Sequence, residues 1–289
     1  MPYQTDPDEP TRRLAVDEYW APTNARIEDG RLLFRPFDGW RRIKPTVEMF
    51  THFVNLSQAN SDKEVLKYVK KWGPLLKSGE LVSDYVARAR AAGAILNISE
   101  NLETGAVGNP EDWEVLDQQE WLSWYLPLDV KAGRRSTVKP QSTPKPKGAG
   151  GSFVPWPPAL RRQQQRILIA SYINAWLIVG EVRPALLWKS QQPTLNLAIA
   201  GPFGALGLRL LETAAQNVIT ACSGCRTFFD TSTRERRPKA GQGRYCDECI
   251  AAKVPERLAK RRQVLGISKP QKKKGKAARK KRADSAPKR

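Results

Sequence analysis

The sequence predicts a mainly α-helical N-terminal region, a small α+β module at the C-terminus and a disordered basic tail. Apolar residues recur at helical spacing over residues 46–130, and all four cysteines fall in the last quarter of the chain. Positive charge is concentrated in the same quarter. Residues 221–289 hold 22 Lys and Arg against 6 Asp and Glu, a net +16 of the +20 on the whole chain. Residues 1–135 hold 18 against 21, a net −3.

Residues 1–45 are predicted to be irregular apart from one β-hairpin. The Asp29-Gly30 pair lies between short runs at 26–28 and 31–34, and Asp-Gly favours a type I′ turn. A second Asp-Gly pair, at 38–39, predicts another turn.

Residues 46–221 are predicted to form a mainly helical domain. Thr46 and Ser61 are typical helix N-caps, and Glu64 would complete a capping box with Ser61. Later helices are expected from about Leu81 to Leu96, Asp112 to Leu126, Ala159 to Val179 and Phe203 to Val218, with two short strands, Ala185–Trp188 and Leu195–Ala200. The aromatic residues of the Asp112–Leu126 helix are interpreted as core, since a base-stacking surface needs interleaved basic residues.

A Pro-, Lys- and Gly-rich stretch at 131–158 interrupts this domain, and the sequence leaves open whether it is a domain boundary or an internal loop. The glycines at 201, 204 and 207 do not form a P-loop, because no Gly-Lys-Ser/Thr follows them. They are interpreted as sites of close helix packing.

Cys222, Cys225, Cys246 and Cys249 form two Cys-x-x-Cys pairs with 20 residues between them. This spacing is typical of one structural Zn²⁺ held by four thiolates. A disulfide or a redox pair is the alternative, but no thioredoxin-like βαβ pattern surrounds either pair. The order of knuckle, hairpin and second knuckle at a helix start indicates a treble-clef-like zinc finger over 222–268. Four thiolates leave zinc no open position for catalysis.

Basic residues around the zinc module predict contacts with nucleic-acid phosphates. Arg257, Lys260 and Arg261 share one helix face, and Arg262 lies about 100° away. The expected phosphate contacts also include four residues of the loop between the cysteine pairs: Arg234, Arg236, Arg237 and Lys239. The tail, 269–289, has 11 cations and one acid, and is predicted to be disordered.

Three basic residues near the cysteines and the single histidine also bear on the chemistry of the chain. Arg226, Arg244 and Lys253 suit hydrogen bonds to zinc-bound sulfur as well as phosphate contact. The single histidine, His52, excludes an HNH nuclease and His-based metal hydrolases, and is interpreted as a core or surface residue. We therefore expect no catalytic residues, no cofactor besides zinc and no enzyme activity.

These motifs together resemble the bacterial ABATE/CGNR zinc-finger proteins. The resemblance rests on Pro-Thr-Leu-Asn-Leu-Ala-Ile-Ala at 193–200, Cys-x-x-Cys-x-x-Phe-Phe, Arg-Tyr-Cys-x-x-Cys and the basic helix, and is most specific over 195–262. Phe53–Leu56 and Lys71–Leu75 are also similar to the helical half of that family. The resemblance is to a divergent relative more than to a typical member, because Ile-Ala-Ala follows Cys249 where the family has Gly-Asn-Arg. The resemblance implies DNA binding and transcription regulation.

The leading hypothesis is a DNA-binding bacterial transcription regulator whose helical domain senses a small-molecule effector or forms a homodimer. An RNA- or ribosome-associated zinc protein is the alternative, followed by a protein–protein adaptor and an enzyme in the N-terminal region. The longest apolar run, 167–179, is too short to span a bilayer, and residues 1–13 lack a signal-peptide pattern. We expect a cytoplasmic, nucleoid-associated protein without a membrane partner.

Overall fold

The computed structural model describes residues 18–34, 39–75, 79–125, 158–189, 192–199, 201–216, 218–232 and 243–265, which are mostly helical with small antiparallel sheets. The tail, most of the 131–158 linker and the loop at 233–242 lie outside these residues, as does Asp38 of the second expected turn. Contacts divide the chain into a first unit, 1–222 with 226–244, and a second unit, 223–225 with 245–289.

Short strands open the first unit. Strand β1 (Tyr19–Pro22) pairs with β4 (Trp40–Ile43), and β2 (Ala25–Glu28) pairs with β3 (Arg31–Phe34), both antiparallel. Asp29 and Gly30 join β2 to β3 with φ of +50° and +69°, as a type I′ turn requires, so the predicted hairpin is confirmed. Strand β5 (Glu80–Leu81) extends this hairpin alongside β3.

Helices α1 (Val47–Asn55) and α2 (Asp62–Trp72) begin where the sequence predicts. Thr46 Oγ1 accepts a hydrogen bond from the Met49 amide at 3.1 Å and so caps α1. The predicted capping box at Ser61 is wrong in detail. The Ser61 side chain makes no capping bond, and Glu64 Oε2 instead accepts from the amide of Asn60 at 3.1 Å.

Helix α3 (Val82–Glu103) continues seven residues beyond the predicted end at Leu96, through Asn97. The Asn97 side chain donates to Asp112 Oδ1 at 3.1 Å, which removes it from competition with the helix backbone. Ile98 and Leu102 beyond it are buried, so the apolar face continues for two more turns. These turns carry Glu100, which belongs to the site described below.

The single helix expected over Asp112–Leu126 is two helices, α4 (Pro110–Asp117) and α5 (Glu120–Tyr125). Gln118 and Gln119 separate the two helices, and the Gln119 side chain donates to the Val115 carbonyl at 3.3 Å. The aromatic residues therefore divide between core and surface. Trp113 is 1% exposed whereas Trp124 is 68% exposed, so the core interpretation holds for the first and is wrong for the second.

Helix α6 (Pro158–Val179), strands β6 (Arg183–Lys189) and β7 (Gln192–Ala198), and helix α7 (Pro202–Gln216) follow. β6 and β7 pair as an antiparallel hairpin. Trp176 of α6 stacks on Phe203 of α7 with ring centroids 4.8 Å apart. Gly204 lies so close to Gly180 that a Cβ on it would meet the Gly180 carbonyl oxygen at 2.4 Å, whereas Gly201 has open space around it. The close-packing interpretation is thus confirmed for Gly204 and wrong for Gly201.

The cysteine region contains strands β8 (Ile219–Ala221) and β9 (Phe228–Asp230) and helices α8 (Asp247–Ala251) and α9 (Val254–Val264). Strands β8 and β9 belong to the first unit, and helices α8 and α9 belong to the second. Lys253 ends α8 in a left-handed conformation with φ of +54°, and Pro255 is the second residue of α9. Among the described helices, none is long and apolar enough to cross a membrane.

Candidate metal centre

The four cysteine sulfur atoms lie within 4.8 Å of one another. Cys222 and Cys225 come from the turn between β8 and β9, Cys246 is the N-cap of α8, and Cys249 lies within that helix. Three of the cysteines are buried, and Cys225 is exposed. Within the part of the chain that the structure describes, this is the one cluster of three or more His, Cys, Asp or Glu side chains suited to a metal ion.

The spacing of these sulfur atoms fits one metal ion. A tetrahedral ion with metal–sulfur bonds of about 2.3 Å has sulfur atoms about 3.8 Å apart. Cys225 Sγ and Cys246 Sγ are 3.6 Å apart, close to that value. Four sulfur ligands complete a tetrahedral shell, so the arrangement suits a structural ion.

The first pair is shaped by a tight backbone turn. The Cys222 amide donates to the Thr227 carbonyl at 2.9 Å, and the Arg226 amide donates to the Cys222 carbonyl at 2.9 Å. Arg226 has φ of +67°, a conformation that costs energy for a residue with a side chain and persists where the surroundings impose it. The turn is closed by the pairing of Ala221 with Phe228 at the ends of β8 and β9.

The helical part of the first unit holds β9 through side-chain amides. Asn55, at the end of α1, donates to the Phe228 carbonyl at 3.0 Å and accepts from the Phe228 amide at 2.7 Å. Its carboxamide thus pairs with β9 as a neighbouring strand does. Gln58 Nε2 donates to the Arg226 carbonyl at 2.8 Å. The Phe228 ring is buried against α3 at Gly93, where an added Cβ would lie 3.2 Å from the ring.

Glu100 of α3 bonds to the segments that lead into both cysteine pairs. Thr220 Oγ1 donates to Glu100 Oε2 at 2.7 Å, and the Arg244 guanidinium lies 3.1 Å from Glu100 Oε1. The Thr220 side chain is buried, and those of Arg244 and Glu100 are 20% and 29% exposed. Arg244, considered from sequence as a ligand of sulfur or phosphate, is therefore engaged by a carboxylate.

The sequence interpretation missed Asn55, Gln58 and Glu100. Each is a polar residue at or near the end of a helix. Polar residues are common at such solvent-exposed positions, so none of the three stands out in the sequence. Their partners lie 120 or more residues further along the chain, so no local pattern reveals them.

The basic residues of α9 are exposed, and no residue of this helix is buried. Arg257 Nη2 donates to the Ala252 carbonyl at 2.6 Å. This bond gives a partner to a backbone carbonyl at the C-terminal end of α8. Lys260, Arg261 and Arg262 are exposed to solvent. The predicted phosphate ligands Arg234, Arg236, Arg237 and Lys239 lie outside the described residues.

His52 lies on the surface of α1 as the sequence suggested. Its side chain is 48% exposed, its Nε2 is 3.7 Å from Glu48 Oε1, and its Nδ1 accepts from Trp72 Nε1 at 3.5 Å. Partial burial, aided by the positive charge of Lys71, lowers the pKa of His52, which favours the neutral ring at pH 7.

Comparison of the chain with known protein families, with curated proteins and with solved structures finds no match. The resemblance to ABATE/CGNR proteins therefore rests on the motif residues alone. What the geometry adds is a four-cysteine cluster that could bind one metal ion.

Proposed function

We propose that this chain is a zinc-finger DNA-binding protein that acts as a bacterial transcription regulator. The observation that carries the proposal is the four-cysteine cluster followed directly by an exposed basic helix. Four thiolates are the ligand set that structural zinc prefers, and a closed zinc site is a common scaffold for presenting a helix to DNA.

The local order of elements supports a treble-clef-like arrangement. The first pair lies in the turn of the β8–β9 hairpin, and the second pair begins at the N-terminus of a helix. In this arrangement zinc fixes the start of α8, and α9 follows after two residues. The metal would therefore order the segment that carries the cations.

The charge of α9 supports a polyanionic partner. Arg257, Lys260, Arg261 and Arg262 outnumber its single acid, Glu256. Because α9 buries none of its residues, packing within the chain stabilises it little. Its exposed cations are therefore available for contacts with a partner. Phosphate contacts from such a helix would be strengthened by the basic loop and tail.

A cavity supports a ligand-sensing role for the helical unit. It has a volume of about 300 Å³, at the lower end of the range of small-molecule sites, and α3, α6 and α7 form it. Small side chains at Ser99, Ala170 and Ala214 leave the space open, and Arg166 and Glu103 lie in its lining. An effector there would pack on aliphatic walls and hydrogen-bond to these two charged groups.

The test of this function is binding to duplex DNA by the zinc-loaded protein, with structured RNA as competitor. We expect the double variant Lys260→Ala/Arg261→Ala to bind at least tenfold more weakly. The double variant Lys63→Ala/Lys67→Ala removes the same charge from an exposed face of α2, and we expect it to bind as the parent does.

Salt and metal provide two further measurements. If about six phosphates are neutralised, log affinity should fall against log salt with a slope of roughly −5. Cys246→Ser should remove sequence preference while tail-mediated binding remains. Preference for RNA would show that the regulator proposal is wrong and would favour the RNA-associated alternative. Equal weakening by both double variants would show that binding depends on total charge and that α9 is not the DNA-binding helix.

A further inference from the structure

The Glu100 carboxylate contacts one residue just before each cysteine pair. Thr220 lies two residues before Cys222, and Arg244 lies two residues before Cys246. Both side chains bond to Glu100, one to each carboxylate oxygen, at 2.7 and 3.1 Å. All three residues belong to the first unit.

This arrangement bears on metal affinity because the two pairs are far apart in sequence. Twenty residues separate Cys225 from Cys246, and bringing the ends of such a segment together costs conformational entropy. A side chain that binds the segments before both cysteine pairs orders them before the metal binds. The entropic cost of bringing the ligands together is then partly met by the folded protein, and metal binding is favoured.

The strength of the Glu100 contacts depends on their burial. An exposed ion pair contributes little, because water screens it and two long side chains must be ordered. Here Thr220 as a whole residue is 1% exposed, and the Arg244 side chain is 20% exposed. Loss of the carboxylate would leave a buried hydroxyl and a partly buried guanidinium without this acceptor.

We propose that Glu100 is a positioning residue of the metal centre, which sets the separation of the two cysteine pairs from within the helical unit. The inference depends on metal binding and not on the nucleic acid. Ser99, Leu102 and Glu103 of the same helix line the cavity, so α3 borders the cavity and also contacts, through Glu100, the segments that lead into the cysteine pairs. Metal affinity thereby becomes a property of the helical unit as well as of the four ligands.

The test is the Zn²⁺ affinity of the full-length protein, measured by competition with a chromophoric chelator at constant pH. We expect Glu100→Gln to weaken Zn²⁺ binding 10- to 100-fold, as for other residues that orient metal ligands. Thr220→Val, which removes only the hydroxyl, should weaken it several-fold. Glu114→Gln, the same change at an exposed position of α4, is the matched control and should alter affinity less than twofold.

A charge exchange separates positioning from a general effect on folding. In the double variant Glu100→Arg/Arg244→Glu the ion pair is restored with opposite polarity, and the Thr220 hydroxyl can donate or accept. We expect Zn²⁺ affinity to return to within about tenfold of the parent, with the absorption spectrum of the Co²⁺-substituted site unchanged. The double variant Glu100→Gln/Arg244→Gln should weaken binding by less than the product of the two single changes, because the contact between the two residues is lost only once.

The proposal is overturned if Glu100→Gln and Thr220→Val bind Zn²⁺ within twofold of the parent, or if Glu114→Gln weakens binding as much as Glu100→Gln. If Glu100→Gln fails to fold, Thr220→Val decides, since it changes no charge. The measurement contains no nucleic acid, so a failure of the DNA-binding proposal leaves its result unaffected.

Discussion

At the scale of single residues, Asn55 shows how the helical unit recognises the hairpin that carries the first cysteine pair. Its carboxamide donates to and accepts from the backbone of one residue, Phe228, at 3.0 and 2.7 Å. A strand neighbour makes the same two bonds with its own backbone. A side chain at a helix end thus substitutes for a third strand beside β9.

The Asn55→Ala variant should test this role. It leaves the Phe228 amide and carbonyl without this partner, in a place where Phe228 itself is 6% exposed. We expect the free energy of unfolding to fall by about 1–3 kcal/mol in urea titrations of the zinc-loaded protein. Gln58→Ala removes one bond at an exposed site, and we expect a loss below about 1 kcal/mol. Equal losses in the two variants would contradict a specific role for Asn55.

At the scale of elements, the crossing of α6 and α7 depends on two glycines in contact. A Cβ on Gly204 would lie 2.4 Å from the carbonyl oxygen of Gly180, which is backbone and cannot swing away. Gly201, three residues earlier, meets nothing within 4 Å. The same sequence pattern of spaced glycines therefore contains one position that packing requires and one that it does not.

We predict that Gly204→Ala and Gly201→Ala differ strongly in stability. The first forces the two helices apart and strains the stacked Trp176–Phe203 pair, at a cost of about 3 kcal/mol or more. The second should change stability by less than about 1 kcal/mol. Thermal unfolding followed by circular dichroism measures both. A tolerant Gly204→Ala would show that the close approach of these helices is not maintained in solution.

The junction of α8 and α9 supports a second prediction at this scale. Arg257 donates to the Ala252 carbonyl at 2.6 Å, whereas the Arg261 side chain of the same helix makes no hydrogen bond to α8 within the described residues. We expect Arg257→Ala to reduce hydrogen-exchange protection over 247–257, equivalent to about 0.5–1.5 kcal/mol. Arg261→Ala makes the same charge change and should leave that protection intact, so equal loss in both variants would contradict the capping role.

Local chemistry explains which elements the sequence could predict. The β2–β3 hairpin follows from Asp29 and Gly30, since few residues other than Gly, Asn and Asp accept two positive φ values in succession. The end of α3 could not be predicted, because Asn97 is satisfied by Asp112 of another helix. The four ligands follow from spacing, whereas Asn55 and Glu100 act on partners that only the folded chain brings near.

At the scale of the whole molecule, the division of charge matches the division of roles that we propose. Residues 1–135 are close to neutral and supply most of the buried core, and residues 221–289 carry a net +16 around the cysteines. Most of the core residues precede the first cysteine, so the helical unit has the means to fold without metal. A bound ion would link the two cysteine pairs directly, in addition to the contacts of Glu100 with the segments that precede them.

Removal of the metal should therefore have a confined effect. We expect chelation to leave most of the helical circular dichroism in place, while hydrogen-exchange protection falls over 243–265 and, to a smaller extent, over 219–230. The smaller loss in the second range follows from Asn55 and buried Phe228, which hold β9 independently of the ion. Cys246→Ser, treated with the same chelator, is the control and should show no further change. A single cooperative loss of all helical signal would mean that the ion supports the whole chain. In that case the contacts of Glu100 would transmit the loss of metal into α3, and the helical unit could not act as an independent sensor.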